Sequence, residues 1–335
     1  MGALIISLDF ELNWGVHDVY TIEEYGANIL GARIAIPQIL QLFLKYDIHA
    51  TWAIVGMLYC KDKQELLSYL NKMDIPYDNT AFNPVKNLSN VGENEMVDPY
   101  HFGLSLIEMI RETPNQEIGT HTFSHYYCLE NGQSKEHFIK DLEADSSLGK
   151  TASLVFPRNQ VNQHYLHECK KFGVKAYRGN EKNWMYKAYT SKTNSWLKRL
   201  CRLIDAYVNI SGEHTYRLKN IETDPIVNIP SSRFLRPYSS KFSFLEKLRL
   251  RRIKKGLTKA AKKNELYHLW WHPHNFGRNT KENLQFLEEI LKHVDYLKHK
   301  YNFQSMHMRD VTEVLKIIAS KVVEKSYYFP FIVVF

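Results

Sequence analysis

The chain has 335 residues, of which 44% are hydrophobic and 24% are charged, a balance that excludes a disordered, collagen-like or fibrous repeat protein. No run of apolar residues approaches the roughly 18 that a membrane-spanning helix requires. The formal net charge of +8 is concentrated in one segment, because residues 241–263 hold ten Lys and Arg against one Glu. The four cysteines form no CxxC pair, which favours a reducing compartment.

From the N-terminus onward, short β-branched and aromatic runs alternate with longer stretches of helical periodicity. The first run, residues 4–9, follows no basic segment and predicts a strand rather than a signal peptide, so we expect a cytoplasmic protein. Further strands are predicted at residues 50–55, 117–120, 153–156, 175–177, 267–271 and 304–308. Helices are predicted at residues 34–46, 63–72, 102–112, 135–145, 163–172, 281–299 and 311–321. This alternation predicts an α/β fold with a mostly parallel sheet, open or closed into a barrel.

Two segments interrupt the alternation of strands and helices. Residues 74–100 are polar and rich in Asn and Pro, and residues 187–263 mix helical with irregular sequence. We interpret both as insertions in a single domain that spans residues 1–325. The last residues, 326–335, form an apolar tail that is expected to pack against another apolar surface.

The basic part of the second insertion, residues 241–263, has apolar residues at helical spacing and predicts a basic amphipathic helix. A solvated helix face is one interpretation of this pattern. Peripheral contact with the inner membrane, or with an anionic substrate, is another. Nucleic acid is not expected as a partner, because no nucleic-acid-binding module surrounds the segment.

The strongest chemical motif follows the third predicted strand. His121 and His125 are four residues apart, so on one helical turn both imidazoles would face the same metal ion. Asp9 and Glu11 stand at the end of the first strand and would share a face if that strand continued. One carboxylate could then complete a three-ligand metal site while the other acts as a base. Surface histidines, surface acids or a helix cap explain the same residues equally simply.

Two further motifs stand at predicted strand ends. His272 follows an aromatic strand and could protonate a leaving group near neutral pH. Arg158 follows the fourth strand and could orient a carboxylate through two hydrogen bonds. A histidine packed among tryptophans and a surface arginine are the respective alternatives. Because β/α folds gather their sites at the C-terminal ends of strands, the combined order is more specific than any single motif.

Together these motifs resemble those of the polysaccharide deacetylase family, the NodB-homology domains grouped as carbohydrate esterase family 4. The resemblance extends from about residue 3 to about residue 310, outside the two insertions. Its most diagnostic part is EIGTHTFSH at residues 117–125, and SLDFE at residues 7–11 matches the first family motif in a D-x-E form. The combination of FPRNQ, YRG and HPHNFG resembles the branch that serves surface-polysaccharide biosynthesis, such as O-antigen or capsule assembly.

The resemblance implies a distorted (β/α)7 barrel with two insertions and the activity of a metal-dependent carbohydrate N-deacetylase. Asp9 would be the base that activates the attacking water, and Arg158 would orient Asp9. His272 would protonate the departing amine, with His274 as a rival for that role. The metal ligands would be Glu11, His121 and His125. Zn²⁺ suits two histidines and a carboxylate, and Co²⁺, Ni²⁺, Fe²⁺ and Mn²⁺ are also compatible.

Further residues are candidates for binding the substrate. Trp184 would wall the site, and Asn183 stands where the family usually has Asp. Arg233 and Arg236 would offer a phosphate or carboxylate contact, although two surface arginines explain them as well. His274 would also face the substrate.

The expected reaction is the removal of an N-acetyl group from an amino sugar in a surface-polysaccharide precursor, carried on a nucleotide or on a lipid. The same site acting on a formamido sugar or another small amide is a second hypothesis. A non-catalytic carbohydrate-binding relative is a third. The protein would be cytoplasmic and membrane-peripheral, and the sequence does not indicate its oligomeric state.

Overall fold

A computed structural model describes residues 1–73, 75–193 and 195–327. The predicted apolar tail, residues 326–335, lies outside the described residues from position 328 onward. The strands are β1 (Ala3–Phe10), β2 (Ala50–Ile54), β3 (Gln116–Thr120), β4 (Ser153–Leu154), β5 (Ala176–Gly179), β6 (Val227–Pro230), β7 (Arg233–Phe234), β8 (Leu266–Trp271) and β9 (Gln304–Met306). The α-helices are α1 (Ile22–Lys45), α2 (Lys63–Leu70), α3 (Leu104–Glu112), α4 (Lys135–Leu148), α5 (Leu166–Lys171), α6 (Trp196–Tyr207), α7 (Glu246–Lys263), α8 (Thr280–Tyr301) and α9 (Met308–Tyr327).

The described strands form one parallel sheet in the order β6-β5-β4-β3-β2-β1-β8-β7. β1 pairs with β8 on one side. On its other side, β9 pairs with the first residues of β1 and β2 pairs with the last ones. The parallel arrangement confirms the α/β fold that the strand–helix alternation predicts.

One extended segment, residues 227–235, closes this sheet into a barrel. β6 pairs with β5 and β7 pairs with β8, yet only Ser231 and Ser232 separate β6 from β7. The Ser231 N–H donates to the Gly179 carbonyl and the Ser232 N–H donates to the His268 carbonyl, both at 2.8 Å. The segment therefore joins the two ends of the sheet. In the described residues the ring consists of β1 to β5, the β6–β7 segment and β8, as in a (β/α)7 barrel.

The β6–β7 segment lies within residues 187–263, which the sequence assigns to an insertion. No strand was predicted there, and the structure corrects this, because the segment is one of the barrel strands. Its two strands have four and two residues, and Pro230 ends the first of them. Such short runs, interrupted by proline, do not give the pattern by which a buried strand is usually identified.

Alternate residues of β1 face opposite sides of the barrel wall. Ile5 packs with Ala53 and Ile229 in the barrel interior, and α9 covers that end of the barrel. The even-numbered residues of β1 pack against the surrounding helices instead. Because successive strand residues alternate, Ser7 and Asp9 share the inward face with Ile5 and lie nearer the other end. The fold thus places an acid inside one mouth of the barrel.

Helix α1 begins earlier than the predicted helix at residues 34–46. A capping box starts it, in which the Thr21 side chain accepts from the Glu24 N–H and the Glu24 carboxylate accepts from the Thr21 N–H. The helix packs closely on the turn that follows β8, since a Cβ on Gly31 would lie 2.1 Å from the Gly277 carbonyl oxygen. This glycine contact fixes the position of the turn that carries His272 and its neighbours.

Helix α1 is, among the described residues, the helix whose length and composition would allow it to cross a membrane. It has 24 residues, and 44% of its most apolar window is buried inside the structure. A core helix of a folded domain passes the same test, so this result is weak evidence for a membrane span.

Candidate active site

The chemically important side chains meet at the C-terminal mouth of the barrel. Asp9 is the penultimate residue of β1, and Glu11 directly follows that strand. His121 follows β3, Arg178 belongs to β5, and His272 follows β8. Because parallel strands end at the same edge, residues that are far apart in the sequence converge here.

Glu11 lies at the centre of four imidazoles. Its Oε2 atom is 3.1 Å from Nε2 of His125 and 3.3 Å from Nε2 of His121. Its Oε1 atom is 3.6 Å from Nε2 of His272 and 3.9 Å from Nε2 of His274. Two histidines therefore face each oxygen of a single buried carboxylate.

Glu11, His121 and His125 form a group that could hold a metal ion, since their ligand atoms all lie within 4.8 Å of one another. The Nδ1–H of His121 donates to the Val155 carbonyl at 2.8 Å, which leaves the lone pair of Nε2 directed into the site. That Nε2 atom is buried and has no hydrogen-bond partner among the described residues. A buried, unpartnered imidazole nitrogen beside a carboxylate fits a divalent cation.

The protonation states suit metal binding. Burial lowers the pKa of His125 to about 4, so this imidazole is neutral at pH 7. Burial alone would raise the pKa of Glu11, but the neighbouring His272, His121 and His125 hold it well below its usual value. A neutral imidazole and an ionised carboxylate are the forms that bind cations.

The loop that carries the two histidines is not the helical turn that the sequence predicts. Residues 121–125 are irregular, and Thr122 and His125 have φ angles of 63° and 58°. Two left-handed residues within four positions are incompatible with a regular helical turn. His121 and His125 therefore converge through loop geometry, with ring centroids 4.9 Å apart, rather than through helical spacing.

Asp141 of α4 anchors this loop. Its carboxylate accepts hydrogen bonds from the N–H groups of Phe123 and Ser124 at 2.7 and 2.9 Å, and from the Ser124 hydroxyl. Asp141 is completely buried. Three donors on one buried carboxylate hold the loop, and with it His121 and His125, in one conformation.

Asp145 lies one turn further along α4, and its buried carboxyl group should make the stability of the protein depend on pH. Burial raises its pKa from the usual 3.8 to about 7, so the folded chain binds more protons than the unfolded chain between these values. The free energy of unfolding therefore falls as the pH rises through this range. Since one pKa unit corresponds to ~1.4 kcal/mol, we expect Asp145→Asn to stabilise the protein by about 2–4 kcal/mol near pH 8 and by little near pH 4.

Urea unfolding at the two pH values measures this effect. Glu143→Gln is the matched control, because Glu143 is an exposed acid on the same helix. An Asp145→Asn variant with the same pH dependence as the wild type would contradict the assignment.

Asp9 is held by Arg178. The two terminal nitrogens of the guanidinium donate to the two carboxylate oxygens at 2.6 and 2.7 Å, and both residues are buried. Arg178 also donates to Ser7 and Asn159 and stacks on the Trp270 ring, 4.1 Å from its centroid. Burial alone would raise the pKa of Asp9, but Arg178 outweighs it and lowers that pKa. Asp9 is consequently ionised and fixed in orientation at neutral pH.

The prediction that Arg158 orients Asp9 is wrong. Arg158 forms an ion pair with Asp18 and lies 4.2 Å from the centroid of the Tyr127 ring. It is in a left-handed conformation with φ of 53°. Arg178, within the YRG motif of the next strand, makes the contact with Asp9 that is predicted for Arg158.

His272 and His274 both reach the site, but they differ in exposure. Their rings stack with centroids 5.0 Å apart. The side chain of His272 is 24% exposed and its Nε2 lies 3.7 Å from Oδ2 of Asp9, whereas His274 is only 5% exposed. Burial lowers the pKa of His274 to about 3. His272 is thus the imidazole that an incoming molecule can contact.

The remaining predicted substrate residues do not contact the site residues described above. Asn183 caps its own turn by accepting from the Met185 N–H at 3.2 Å, and Trp184 is 51% exposed. Arg233 is buried and forms an ion pair with Asp205 at 2.5 Å, so its predicted role as a phosphate contact is wrong. Arg236 is partly buried, and burial together with neighbouring cations lowers its pKa.

Several residues that support the site were missed in the sequence. Ser7 and Asn159 bind Arg178, and His268 binds the Ser7 hydroxyl at 2.9 Å. Ser7, Arg178 and His268 all lie in predicted strands or directly beside one, so their inward position was the available signal. Asp141 gave no signal, because its partners are backbone groups of a distant loop.

Comparisons with known proteins support the fold. No protein-family model matches the chain, and no curated protein matches it either. A solved structure from Mycobacterium smegmatis, assigned as a polysaccharide deacetylase, matches with a TM-score of 0.56 and 12% identity, over 95% of this chain and 92% of that one. A Pseudomonas aeruginosa PAO1 protein assigned likewise gives 0.53 and 11%, over 93% and 89%. Puue allantoinase gives 0.52 and 12%, over 93% and 89%.

At such low identity these similarities concern the fold alone. The chain has the α/β-barrel fold of these solved structures, and the fold class implied by the sequence resemblance is confirmed. What chemistry the barrel mouth performs rests on its own residues.

Proposed function

We propose that this chain is a metal-dependent hydrolase that removes the N-acetyl group from an amino sugar in a surface-polysaccharide precursor. One observation carries the proposal. The Glu11–His121–His125 group, the Asp9 carboxylate fixed by Arg178, and the partly exposed His272 meet in a single barrel mouth. A metal-binding group, an ionised base and an accessible acid are the three components that amide hydrolysis requires.

Glu11, His121 and His125 would hold the metal. A divalent cation at this position supplies a Lewis acid that polarises the amide carbonyl and makes water a better nucleophile. Two imidazoles and one carboxylate suit Zn²⁺, and Co²⁺, Ni²⁺, Fe²⁺ and Mn²⁺ share this ligand preference.

Asp9 takes the proton of the attacking water. Its two oxygens offer about four lone-pair sites, and the two terminal nitrogens of Arg178 occupy one on each oxygen. Lone pairs therefore remain for a proton, and the guanidinium keeps the carboxylate from rotating. Because Arg178 is completely buried and bound on several sides, the base is positioned before substrate arrives.

His272 donates a proton to the departing nitrogen. Its Nε2 atom lies 3.7 Å from Asp9 and 3.6 Å from Glu11, so it borders the reacting centre, and its exposure opens it to the substrate. Its Nδ1 atom lies 3.3 Å from the Asn275 side-chain oxygen, which orients the ring. His274 packs behind it and supports its position by stacking.

The substrate part of the proposal rests on the resemblance of the motifs. FPRNQ, YRG and HPHNFG resemble motifs of the branch that serves surface-polysaccharide assembly, and the proposed substrate is a precursor sugar carried on a nucleotide or a lipid. Acetate and a free amino sugar would be the products. Formate release from a formamido sugar would point to the second hypothesis drawn from the sequence.

Elemental analysis of the purified protein tests the proposal first. We expect about one transition-metal ion per chain in the wild type and its loss in the His121→Ala, His125→Ala double variant. The matched control replaces two exposed histidines, His164 and His167, by Ala and should keep the metal. Acetate release from N-acetylated sugar nucleotides should disappear together with the metal. A wild-type protein that binds no metal after incubation with Zn²⁺ or Co²⁺ would contradict the mechanism.

A further inference from the structure

Helix α6 presents its apolar side to solvent. Trp196, Leu200 and Ile204 follow one another at intervals of four residues and lie on one face of the helix, and Val208 directly follows the last helical residue. With Leu197 they form what we call the apolar stripe, and each is between 41% and 75% exposed. The polar residues Arg202 and Asp205 lie on the opposite side, towards the barrel. This polarity is the reverse of that expected for a helix on a globular surface.

Asp205 fixes α6 in this orientation. Its carboxylate is completely buried and binds Arg233 at 2.5 Å and Arg252 at 3.0 Å. It also accepts from the Tyr186 hydroxyl at 2.7 Å. Rotating the helix to bury the apolar stripe would separate this carboxylate from two buried arginines, which is costly. The stripe is therefore a built feature of the surface.

The segment before α7 extends the apolar surface. Phe244 in this segment is 75% exposed, and Leu248 in the first turn of α7 is 42% exposed. Phe242 packs against Tyr207 at the end of α6, with ring centroids 6.1 Å apart. The apolar residues of these two neighbouring elements thus belong to one region of the molecule. Exposed apolar groups gathered in this way mark an interaction site.

Helix α7 adds positive charge, but not in the way that the sequence predicts. The apolar residues that predict this amphipathic helix are Leu245, Leu248, Ile253 and Leu257. Ile253 and Leu257 are buried in the protein core, whereas Leu248 is 42% exposed, so α7 offers little apolar surface to lipid. Arg249 and Arg252 are also buried and serve the protein interior. Most of the exposed apolar surface therefore belongs to α6, and α7 contributes mainly cations.

The solvent side of α7 is lined by cations. They are Lys247, Arg251, Lys254, Lys255, Lys259, Lys262 and Lys263, which we call the basic face. Lys254 and Lys255 have acidic neighbours, Glu289 and Glu213. Within the part of the chain that the structure describes, Lys247, Arg251 and Lys262 have no acidic group within salt-bridge distance. Most of this charge is therefore available to an external anion.

We propose that the apolar stripe and the basic face form one docking surface for a bilayer of anionic phospholipids. Amphipathic helices bind such surfaces by burying apolar side chains at the level of the headgroups, while nearby lysines and arginines attract the phosphates. Tryptophan, here Trp196, favours that interface. The positive charge favours an anionic bilayer over a second copy of the chain, because a second copy would bring an equally basic face into contact and the two faces would repel each other. This inference is independent of the proposed hydrolase reaction.

Sedimentation with lipid vesicles tests the docking surface. We expect the full chain to sediment with vesicles of phosphatidylglycerol and phosphatidylcholine and to stay in solution with phosphatidylcholine alone. Leu200→Gln together with Ile204→Gln should weaken binding by about a hundredfold, because both side chains lose their transfer into the apolar layer. Arg251→Gln, Lys255→Gln and Lys262→Gln should each weaken it by about fivefold at low salt, and added salt should weaken wild-type binding too.

The matched control replaces Ile34 and Leu44 of α1, which are 62% and 52% exposed, by Gln and should bind like the wild type. All variants should keep the wild-type metal content and melting temperature, since they change exposed side chains. The proposal is overturned if the wild type ignores anionic vesicles or if the Leu200 and Ile204 variant still binds them. It is also overturned if the wild type is a dimer, the Leu200 and Ile204 substitutions dissociate this dimer, and vesicles do not.

Discussion

Replacing Asp9 by Asn is expected to lower kcat by about a thousandfold while metal binding is retained, because a positioned general base contributes roughly 10²–10⁴ to a rate. Asp9 is not part of the metal-binding group, so its amide should leave the Glu11–His121–His125 ligands in place. The amide keeps the shape of the carboxylate but cannot take a proton from water. Acetate release and metal content, measured on the same preparation, separate the two effects.

The Glu11→Gln variant provides the contrast to Asp9→Asn. Glu11 lies between the two histidines of the metal-binding group, so its variant should lose metal and activity together. If Asp9→Asn also lost the metal, Asp9 would be a ligand rather than the base. An Asp9→Asn variant that kept more than about a tenth of wild-type kcat would exclude Asp9 as the general base.

The sequence predicts most of the fold because a buried parallel strand gives a recognisable pattern, a short continuous run of apolar residues. The first strand is a continuous apolar run, and all eight residues of β1 are buried. Such runs alternate with amphipathic helices, which predicts a mostly parallel α/β sheet, open or closed, while the barrel itself is implied by the resemblance of the motifs. The segment at residues 227–235 gives no such pattern, because its strands are short and belong to two partners. Closure of the barrel therefore becomes visible only in three dimensions.

The convergence of the candidate metal ligands could be predicted for a related reason. Glu11, His121 and His125 stand next to well-defined strands, and the strand ends alone bring them to one mouth. The helical turn proposed for the two histidines was nevertheless wrong, because Asp141 holds a loop with two left-handed residues in that place. The residues were identified correctly as neighbours although the local geometry was not.

The choice between Arg158 and Arg178 could not be made from sequence pattern. Both arginines stand at strand ends, and both belong to motifs of the resembling family. Their side chains are separated by backbone conformation, since Arg158 is left-handed whereas Arg178 continues a strand and faces inward. A one-residue difference in strand length reverses the direction of a side chain. A difference of one residue is too small to be predicted, because strand ends are not located that accurately from sequence.

Arg178→Met is expected to destabilise the protein by about 3–5 kcal/mol, because it leaves the buried Asp9 carboxylate without its partner. Asp9→Asn should also destabilise it, since Arg178 is then a buried cation without a counter-charge. The double variant replaces the ion pair by two neutral side chains. We expect it to recover at least half of the stability lost in either single variant. Urea unfolding at pH 7 measures all four proteins.

Activity in the same four proteins shows why the pair exists. If Arg178 serves to position the base, Arg178→Met should lower kcat strongly, and the double variant should stay inactive although its stability returns. Stability and activity then separate, because neutral side chains can fill the barrel interior but cannot accept a proton. Recovery of both quantities in the double variant would mean that the Asp9–Arg178 pair is structural and that another group is the base. The Arg178→Lys variant refines the result. Its ammonium group keeps the positive charge but cannot bind both carboxylate oxygens as the guanidinium does. Compared with Arg178→Met, it should therefore restore stability more than kcat.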